Sequence, residues 1–159
     1  MIERIPKEGC PMKKLIASLL FVTCLLFAVS GLAQTVTCPS AGVMLTLPDN
    51  FTEIPRSPMD DPNMVVQYTD GATTLTIYVS YAGGNNSFMV LTGDELEYGP
   101  VIINETQMQY ARGLDEYGPW ATYSWMRAKD AVQLYFVWTG NDEAALKLIN
   151  EIMASIVFI

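Results

Sequence analysis

Apolar and polar residues alternate along most of the chain from residue 43 onwards, and this period of two indicates β-strands. "MVVQYT" (64–69) and "TTLTIYVSY" (73–81) flank Asp70-Gly71, a dipeptide that favours a type I′ turn, so this stretch predicts a hairpin. "VMLTL" (43–47) predicts an earlier strand, and "VIINETQMQYARGL" (101–114) predicts one long or bent strand. In the second arm of the hairpin one face is apolar and is predicted to lie in the core: Leu75, Ile77, Val79 and Tyr81.

A second hairpin is predicted by "PWATYSWMRAKDAVQLYFVWTG" (119–140), which contains all three tryptophans of the chain. We expect its turn to be centred on Lys129-Asp130. A loop of two residues and a loop of four residues both assign the same side chains to the same face of the hairpin. A three-residue loop with a bulge would invert the two faces.

The facing of this hairpin separates the tryptophans. Trp125 and Trp138 lie on an almost continuous apolar face, which predicts that both are buried in the core. Trp120 lies with Thr122 and Tyr135 on the opposite, mixed face. Truncation of Trp120 is therefore expected to destabilise the domain less than truncation of Trp138, and Trp120 is the tryptophan best placed to bind a ligand.

The pattern changes to a helical period at the end of the chain. Asn141 or Asp142 is predicted to cap the helix, with Glu143 in its first turn. The apolar residues that follow form one stripe: Ala145, Leu148, Ile149, Ile152, Met153 and Ile156. The fold class predicted from these elements is α+β, a mostly antiparallel sheet of about six strands packed against a C-terminal helix.

Residues 12–33, "MKKLIASLLFVTCLLFAVSGLA", have the composition of a secretory signal peptide. Two lysines precede an apolar run (15–29), and the small residues Gly31 and Ala33 stand at the −3 and −1 positions of a cleavage site. The alternative is a membrane anchor, but the run is shorter than the span of about 20 residues that a bilayer needs. We expect residues 1–33 to be an N-terminal extension and a signal peptide cleaved after Ala33, with either Met1 or Met12 as the start.

Cleavage would leave a single globular domain, 34–159, which is periplasmic or extracellular and has no stable membrane span. The residues before Cys24 and Cys38 do not resemble a lipoprotein signal, so a lipid anchor is not expected.

The charge of the chain is acidic, with nine Lys and Arg against 17 Asp and Glu and a formal net charge of −8. Residues 34–159 alone hold five bases and fifteen acids, a net charge of −10. Because such a surface repels phosphate backbones, nucleic acid is not expected as a partner.

Histidine is absent from the sequence, which excludes Ser-His-Asp and Cys-His triads and the usual zinc sites. The glycine motifs that bind phosphates are absent too, so neither a cofactor nor a metal is expected.

These observations favour a small exported accessory or binding module that lacks catalytic activity and contacts an unknown protein or small ligand. One alternative is a hydrolase that uses paired carboxylates, with Asp94, Glu95 and Glu97 as candidates. Another is a carbohydrate-binding module in which Trp120 and Tyr135 are exposed aromatic side chains that stack on sugars.

Three segments carry a resemblance to a known fold family: "LTLPDNFTEIP" (45–55), "YTDGATTLTIYVSY" (68–81) and "NDEAALKLINEIMASIVF" (141–158). Together they resemble the Mog/PsbP-like fold of small extrinsic and exported proteins, over about 43–158. The resemblance implies an α/β/α sandwich and usually a non-catalytic accessory role. It assigns no functional residue.

Overall fold

The computed structural model of the protein describes residues 33–81 and 94–159. The predicted signal peptide falls outside these residues except for Ala33, so its cleavage stays a prediction. The strands of the described part are β1 (Ala33–Cys38), β2 (Val43–Pro48), β3 (Thr52–Glu53), β4 (Met64–Thr69), β5 (Thr73–Tyr81), β6 (Asp94–Ile103), β7 (Thr106–Asp115), β8 (Gly118–Met126), β9 (Asp130–Trp138) and β10 (Val157–Phe158), and its helix is α1 (Asp142–Ala154).

The strands form two antiparallel sheets. Seven strands form the larger sheet in the order β3-β4-β5-β9-β8-β7-β6, and β1-β2-β10 form the smaller one. Every pairing in both sheets is antiparallel. The predicted α+β class with a mostly antiparallel sheet and a C-terminal helix is confirmed.

The larger sheet has two different faces. The first, which we call the core face, carries large apolar side chains from β5, β8 and β9, as the alternation predicts. Helix α1 and the smaller sheet bury their own apolar residues in the same cluster. The core-face residues of these three strands are Leu75, Ile77, Val79, Ala121, Tyr123, Trp125, Val132, Leu134, Phe136 and Trp138.

The β8–β9 hairpin has the predicted facing, with Trp125 opposite Val132. Arg127 N–H donates to the Asp130 carbonyl at 2.8 Å, so the turn is centred on Ala128 and Lys129, one residue earlier than expected. The shift leaves the facing unchanged because the loop still has an even number of residues.

Two other turns differ from the sequence prediction. At the β4–β5 turn, Asp70 N–H donates to the Thr73 carbonyl at 3.2 Å, so the central residues are Gly71 and Ala72. Gly71 has φ +90° and Asp70 does not have positive φ, an arrangement typical of a type II′ turn rather than type I′. The Asp70 carboxylate accepts from the backbone N–H groups of Ala72 and Thr73, at 2.9 and 2.6 Å, which explains the shift.

Residues 101–114 do not form the single strand that their pattern predicts. The chain turns back at Asn104 and Glu105, with φ 46° and 66°, and Ile103 pairs with Thr106. Positive φ at both central residues is the type I′ geometry that matches the twist of a hairpin. The split supplies an additional strand to the larger sheet.

Helix α1 begins as predicted, because the Asn141 side chain accepts from Ala144 N–H at 3.0 Å. At its other end the Ser155 hydroxyl accepts from Thr46 N–H at 2.9 Å, which fixes the helix to β2. Among the described residues, no helix has the length and apolar character needed to cross a membrane.

Candidate functional site

The second face of the larger sheet, which we call the polar face, carries several hydroxyl and amide side chains. Cross-strand pairing aligns Thr76, Tyr135 and Thr122 in one row, and Tyr78, Gln133 and Ser124 in the next. The predicted ligand-binding residues Trp120 and Tyr135 both lie on this face, since Trp120 shares its side of β8 with Thr122. Their ring centroids are 6.2 Å apart, with a tilt of 31°.

Trp120 is buried, with 2% of its surface exposed. Its ring lies across Gly113 on β7, and a Cβ at Gly113 would come within 2.7 Å of the Trp120 ring. The exposed stacking platform that the sequence suggested for Trp120 is therefore not present. Glycine at this position is what allows the indole to lie against the neighbouring strand.

The indole Nε1–H of Trp120 has no hydrogen-bond partner within the described part of the chain. A buried donor without a partner is destabilising by about 1–3 kcal/mol. Trp138 on the core face differs, because its indole N–H donates to the Asp142 carboxylate at 2.8 Å. Trp120 and Trp138 are about equally buried, and they differ in whether the indole N–H has a described hydrogen-bond partner.

Tyr135 is half-buried in the middle of the polar face. Burial, with smaller contributions from the nearby Asp115 and Tyr78, raises its pKa to about 12. The pKa of Tyr78 is also raised, chiefly by burial. Both phenols are therefore neutral at physiological pH, so they can donate and accept hydrogen bonds but provide no charge.

Four polar side chains in the inner part of the polar face form hydrogen bonds with each other. The Gln133 amide donates to the Thr122 hydroxyl at 2.8 Å, and both residues are buried. The Gln67 amide donates to the Thr76 hydroxyl at 2.9 Å. These side chains pair with each other across the strands, so they are structural and are not available to a ligand.

The outer part of the polar face, near the β6–β7 turn, is open to solvent. A groove of about 440 Å³ lies between β7 and β8, lined by Gln107, Gln109, Ser124 and Met126 and by the strand segments beside them. Within the described residues, none of the groove's two amides and one hydroxyl makes a side-chain hydrogen bond. Such a volume is within the range of about 300–1,000 Å³ for small-molecule sites.

Large apolar side chains border this groove on the same face. Tyr98 and Ile102 of β6 are both 74% exposed, and Met126 at the end of β8 is 71% exposed. Ile102 pairs with Gln107, and Pro100 pairs with Gln109, so the border runs beside the amides. We call these residues, together with Gln107, Gln109 and Ser124, the open groove.

Sequence reasoning missed the open groove because it treated 101–114 as one strand. The signal that could have revealed it is Asn104, since asparagine tolerates left-handed backbone better than most residues. A turn there places the residues before it on the edge strand of a hairpin, beside Gln107 and Gln109.

The carboxylates proposed for a hydrolase lie on or beside edge strand β6. Glu97 is exposed and pairs with Arg112 across the strands. The side chains of Asp94 and Glu95 lie outside the described set. Among the described residues, no group of three or more histidine, cysteine or acidic side chains is placed to hold a metal ion.

Comparison with known proteins supports the fold alone. No protein-family model matches the chain, and no curated protein matches it by sequence. The solution structure of cyanobacterial PsbP (CyanoP) from Synechocystis sp. PCC 6803 aligns with a TM-score of 0.57 at 10% identity, over 83% of this chain and 96% of that one. A crystal structure from Bacteroides thetaiotaomicron VPI-5482 aligns with a TM-score of 0.47 at 14% identity, over 79% of this chain and 48% of that one.

Proposed function

From a PsbP-like fold with one core face and one polar face, we propose that the protein is a small exported accessory or binding module without catalytic activity of its own. The observation that supports this most directly is the open groove. Export rests on the signal-peptide pattern of residues 12–33.

The open groove is not needed to hold the fold together. The core face, helix α1 and the smaller sheet bury most of the large apolar residues, and two pairs of polar side chains in the inner part of the polar face bond to each other. Tyr98, Ile102 and Met126 remain exposed in one area. Exposed apolar side chains that cluster in this way are typical of a binding surface.

A hydrolase based on Asp94, Glu95 and Glu97 is the weaker candidate. Glycosidases need two carboxyl groups on opposite sides of a substrate bond, with the acid in an enclosed, largely apolar site. Glu97 is exposed on an edge strand, and the open groove lies on the other face of the sheet. A domain of this size also leaves little space for a deep substrate cleft.

A ligand screen by thermal shift tests the proposal, with glycans, peptides, nucleotides and lipids as probes. We expect a ligand that raises the melting temperature of the wild-type protein and of Asn150→Arg but not of Gln109→Arg. Gln109 and Asn150 are both exposed amides, one in the open groove and one on α1, so the pair controls for the added charge. Turnover of a substrate that Glu97→Gln abolishes would contradict the proposal, as would a ligand whose effect survives in Gln109→Arg.

A further inference from the structure

The open groove contains no charged side chain, although the chain as a whole has a net charge of −8. Glu97 belongs to the other face of β6, and Glu105 lies in the turn beyond it. A charged ligand would lose its hydration in the groove and gain no ion pair. The composition of the site therefore favours an uncharged ligand.

The polar groups of the groove suit a ligand that both donates and accepts hydrogen bonds. Each glutamine amide provides two N–H donors and a carbonyl acceptor, and the serine hydroxyl does both. Gln109 and Ser124 are direct cross-strand partners, and Gln107 lies two residues away on the same side of β7. Three side chains that can donate and accept hydrogen bonds thus lie side by side in the groove, without a described partner of their own.

The border of the groove adds an apolar surface suited to a ring. Tyr98 presents an aromatic side chain, and Ile102 and Met126 stand on either side of Gln107 on the same face. A sugar ring has hydroxyls around its rim and C–H groups on its faces, so it contacts both amides and aromatic rings. The arrangement of polar floor and apolar border matches that chemistry.

A peptide strand is a poor occupant because the edge next to the groove is interrupted. Among the described strands β6 is the edge of the larger sheet. The Ile103–Thr106 pair closes a two-residue turn, so the backbone N–H and C=O groups of Ile103 point towards β7. Because these groups alternate in direction along an antiparallel strand, those of Tyr98, Pro100 and Ile102 point away from the sheet, towards its open edge. Pro100 has no N–H, so it removes a donor from the middle of the open edge.

A second copy of the chain is a poor occupant of the groove, because the edge of β6 is interrupted and because two acidic copies repel each other. Edge-to-edge pairing of two β6 strands would meet Pro100 on both sides. Two copies with a net charge of −8 each also repel one another, and the uncharged groove supplies no ion pair to offset the repulsion.

We propose that the open groove binds a neutral oligosaccharide, with Gln107, Gln109 and Ser124 bonding its hydroxyls and Tyr98 stacking on a sugar ring. This inference rests on the proposed binding role of the polar face. The proposed sugar site therefore lies at the exposed end of the polar face and not at the buried Trp120, where the sequence suggested it.

Isothermal titration calorimetry of the purified protein tests the inference, with neutral gluco-, manno- and xylo-oligosaccharides and with oligogalacturonate as the acidic counterpart. We expect a neutral oligosaccharide to bind more tightly than oligogalacturonate. Gln109→Ala should weaken binding about five- to tenfold, the effect of one lost hydrogen bond. Tyr98→Ala should weaken it about tenfold, Tyr98→Phe should retain it within about twofold, and Asn150→Ala on α1 should leave it unchanged.

The inference would be overturned if no neutral oligosaccharide bound at millimolar concentration, or if oligogalacturonate bound more tightly than the neutral sugars. Binding that is unchanged in both Gln109→Ala and Tyr98→Ala would overturn it too. So would self-association through the groove, seen as a molecular mass that rises with protein concentration and no longer does so in Met126→Lys. A peptide or protein ligand lost in Gln109→Arg would refute the oligosaccharide and still support a binding module. Catalytic turnover would refute the proposed function itself, so the two failures are distinguishable.

Discussion

Two buried tryptophans on opposite faces of one sheet allow a matched substitution. Trp120 and Trp138 are 2% and 1% exposed, yet only the Trp138 indole N–H has a described partner, the Asp142 carboxylate. Replacing each by phenylalanine keeps an aromatic ring and removes the indole N–H. The substitution removes an unsatisfied donor in one case and a satisfied donor in the other.

The two free-energy changes should therefore differ. The smaller ring loses up to about 100 Å² of buried apolar area, or about 2.5 kcal/mol at 25 cal/mol/Å². At Trp120 the removal of an unsatisfied donor offsets this by about 1–3 kcal/mol, so Trp120→Phe should destabilise the protein by no more than about 1.5 kcal/mol. At Trp138 the lost bond to a carboxylate adds to the lost area, and we expect Trp138→Phe to cost about 3–5 kcal/mol.

Urea unfolding followed by far-ultraviolet circular dichroism measures both values without relying on tryptophan fluorescence. Because Trp120 is buried, Trp120→Ala is now expected to cost about 3–5 kcal/mol, not the smaller value that its position on the mixed face suggested. If Trp120→Phe destabilised the protein as much as Trp138→Phe, the Trp120 N–H would have a partner and the reasoning would be wrong.

Three further substitutions or titrations test other parts of the structure. Gly113→Ala should lower the unfolding free energy by about 1–3 kcal/mol, because the new Cβ would meet the Trp120 indole ring. Gly99→Ala is the control and should be nearly neutral, because no atom lies within reach of a Cβ there. Equal urea midpoints for the two variants would contradict this prediction. Glu105→Gly should raise the melting temperature by relieving about 1 kcal/mol of left-handed strain, and a lower melting temperature would argue against the type I′ turn. Burial raises the pKa of Tyr123 and of Tyr135 to about 12, so the stability they contribute is fully present below pH 10 and is lost as the pH rises through 12. An absorbance titration of the tyrosines at alkaline pH should show a late phase that Tyr123→Phe and Tyr135→Phe together remove. A titration complete near pH 10 would refute the buried placement of the two phenols.

The sequence predicted the parts of the fold that depend on local pattern. Alternation gave the correct facing of the β8–β9 hairpin, and Asn141 marked the start of α1. These features are predictable because each follows from a period or a cap within a few residues. The resemblance to a PsbP-like fold added the arrangement of sheet and helix, which the structural similarity supports.

The features that sequence reasoning missed depend on how neighbouring strands turn and pair. Trp120 is buried because Gly113, on the next strand, leaves room for its ring, and no local pattern relates the two. The turn at Asn104 and Glu105 contains neither glycine nor proline, so the alternation of 101–114 continued through it. The open groove depends on that turn, for which Asn104 is the local signal, and on the pairing of β6 and β7, which places its residues side by side.

The smaller sheet has a consequence for the order of folding events. Its central strand β2 pairs with β1 on one side and with β10 on the other, so Met44 pairs with Val157, a residue from a much later part of the sequence. Contacts between such distant residues carry a large loop-closure entropy and slow the folding of β-rich domains. Strand β10 is therefore required to complete the smaller sheet, and without it one edge of β2 lacks its described partner. For a protein that is exported as we propose, a sheet that stays incomplete until β10 is available would favour an unfolded chain during membrane crossing.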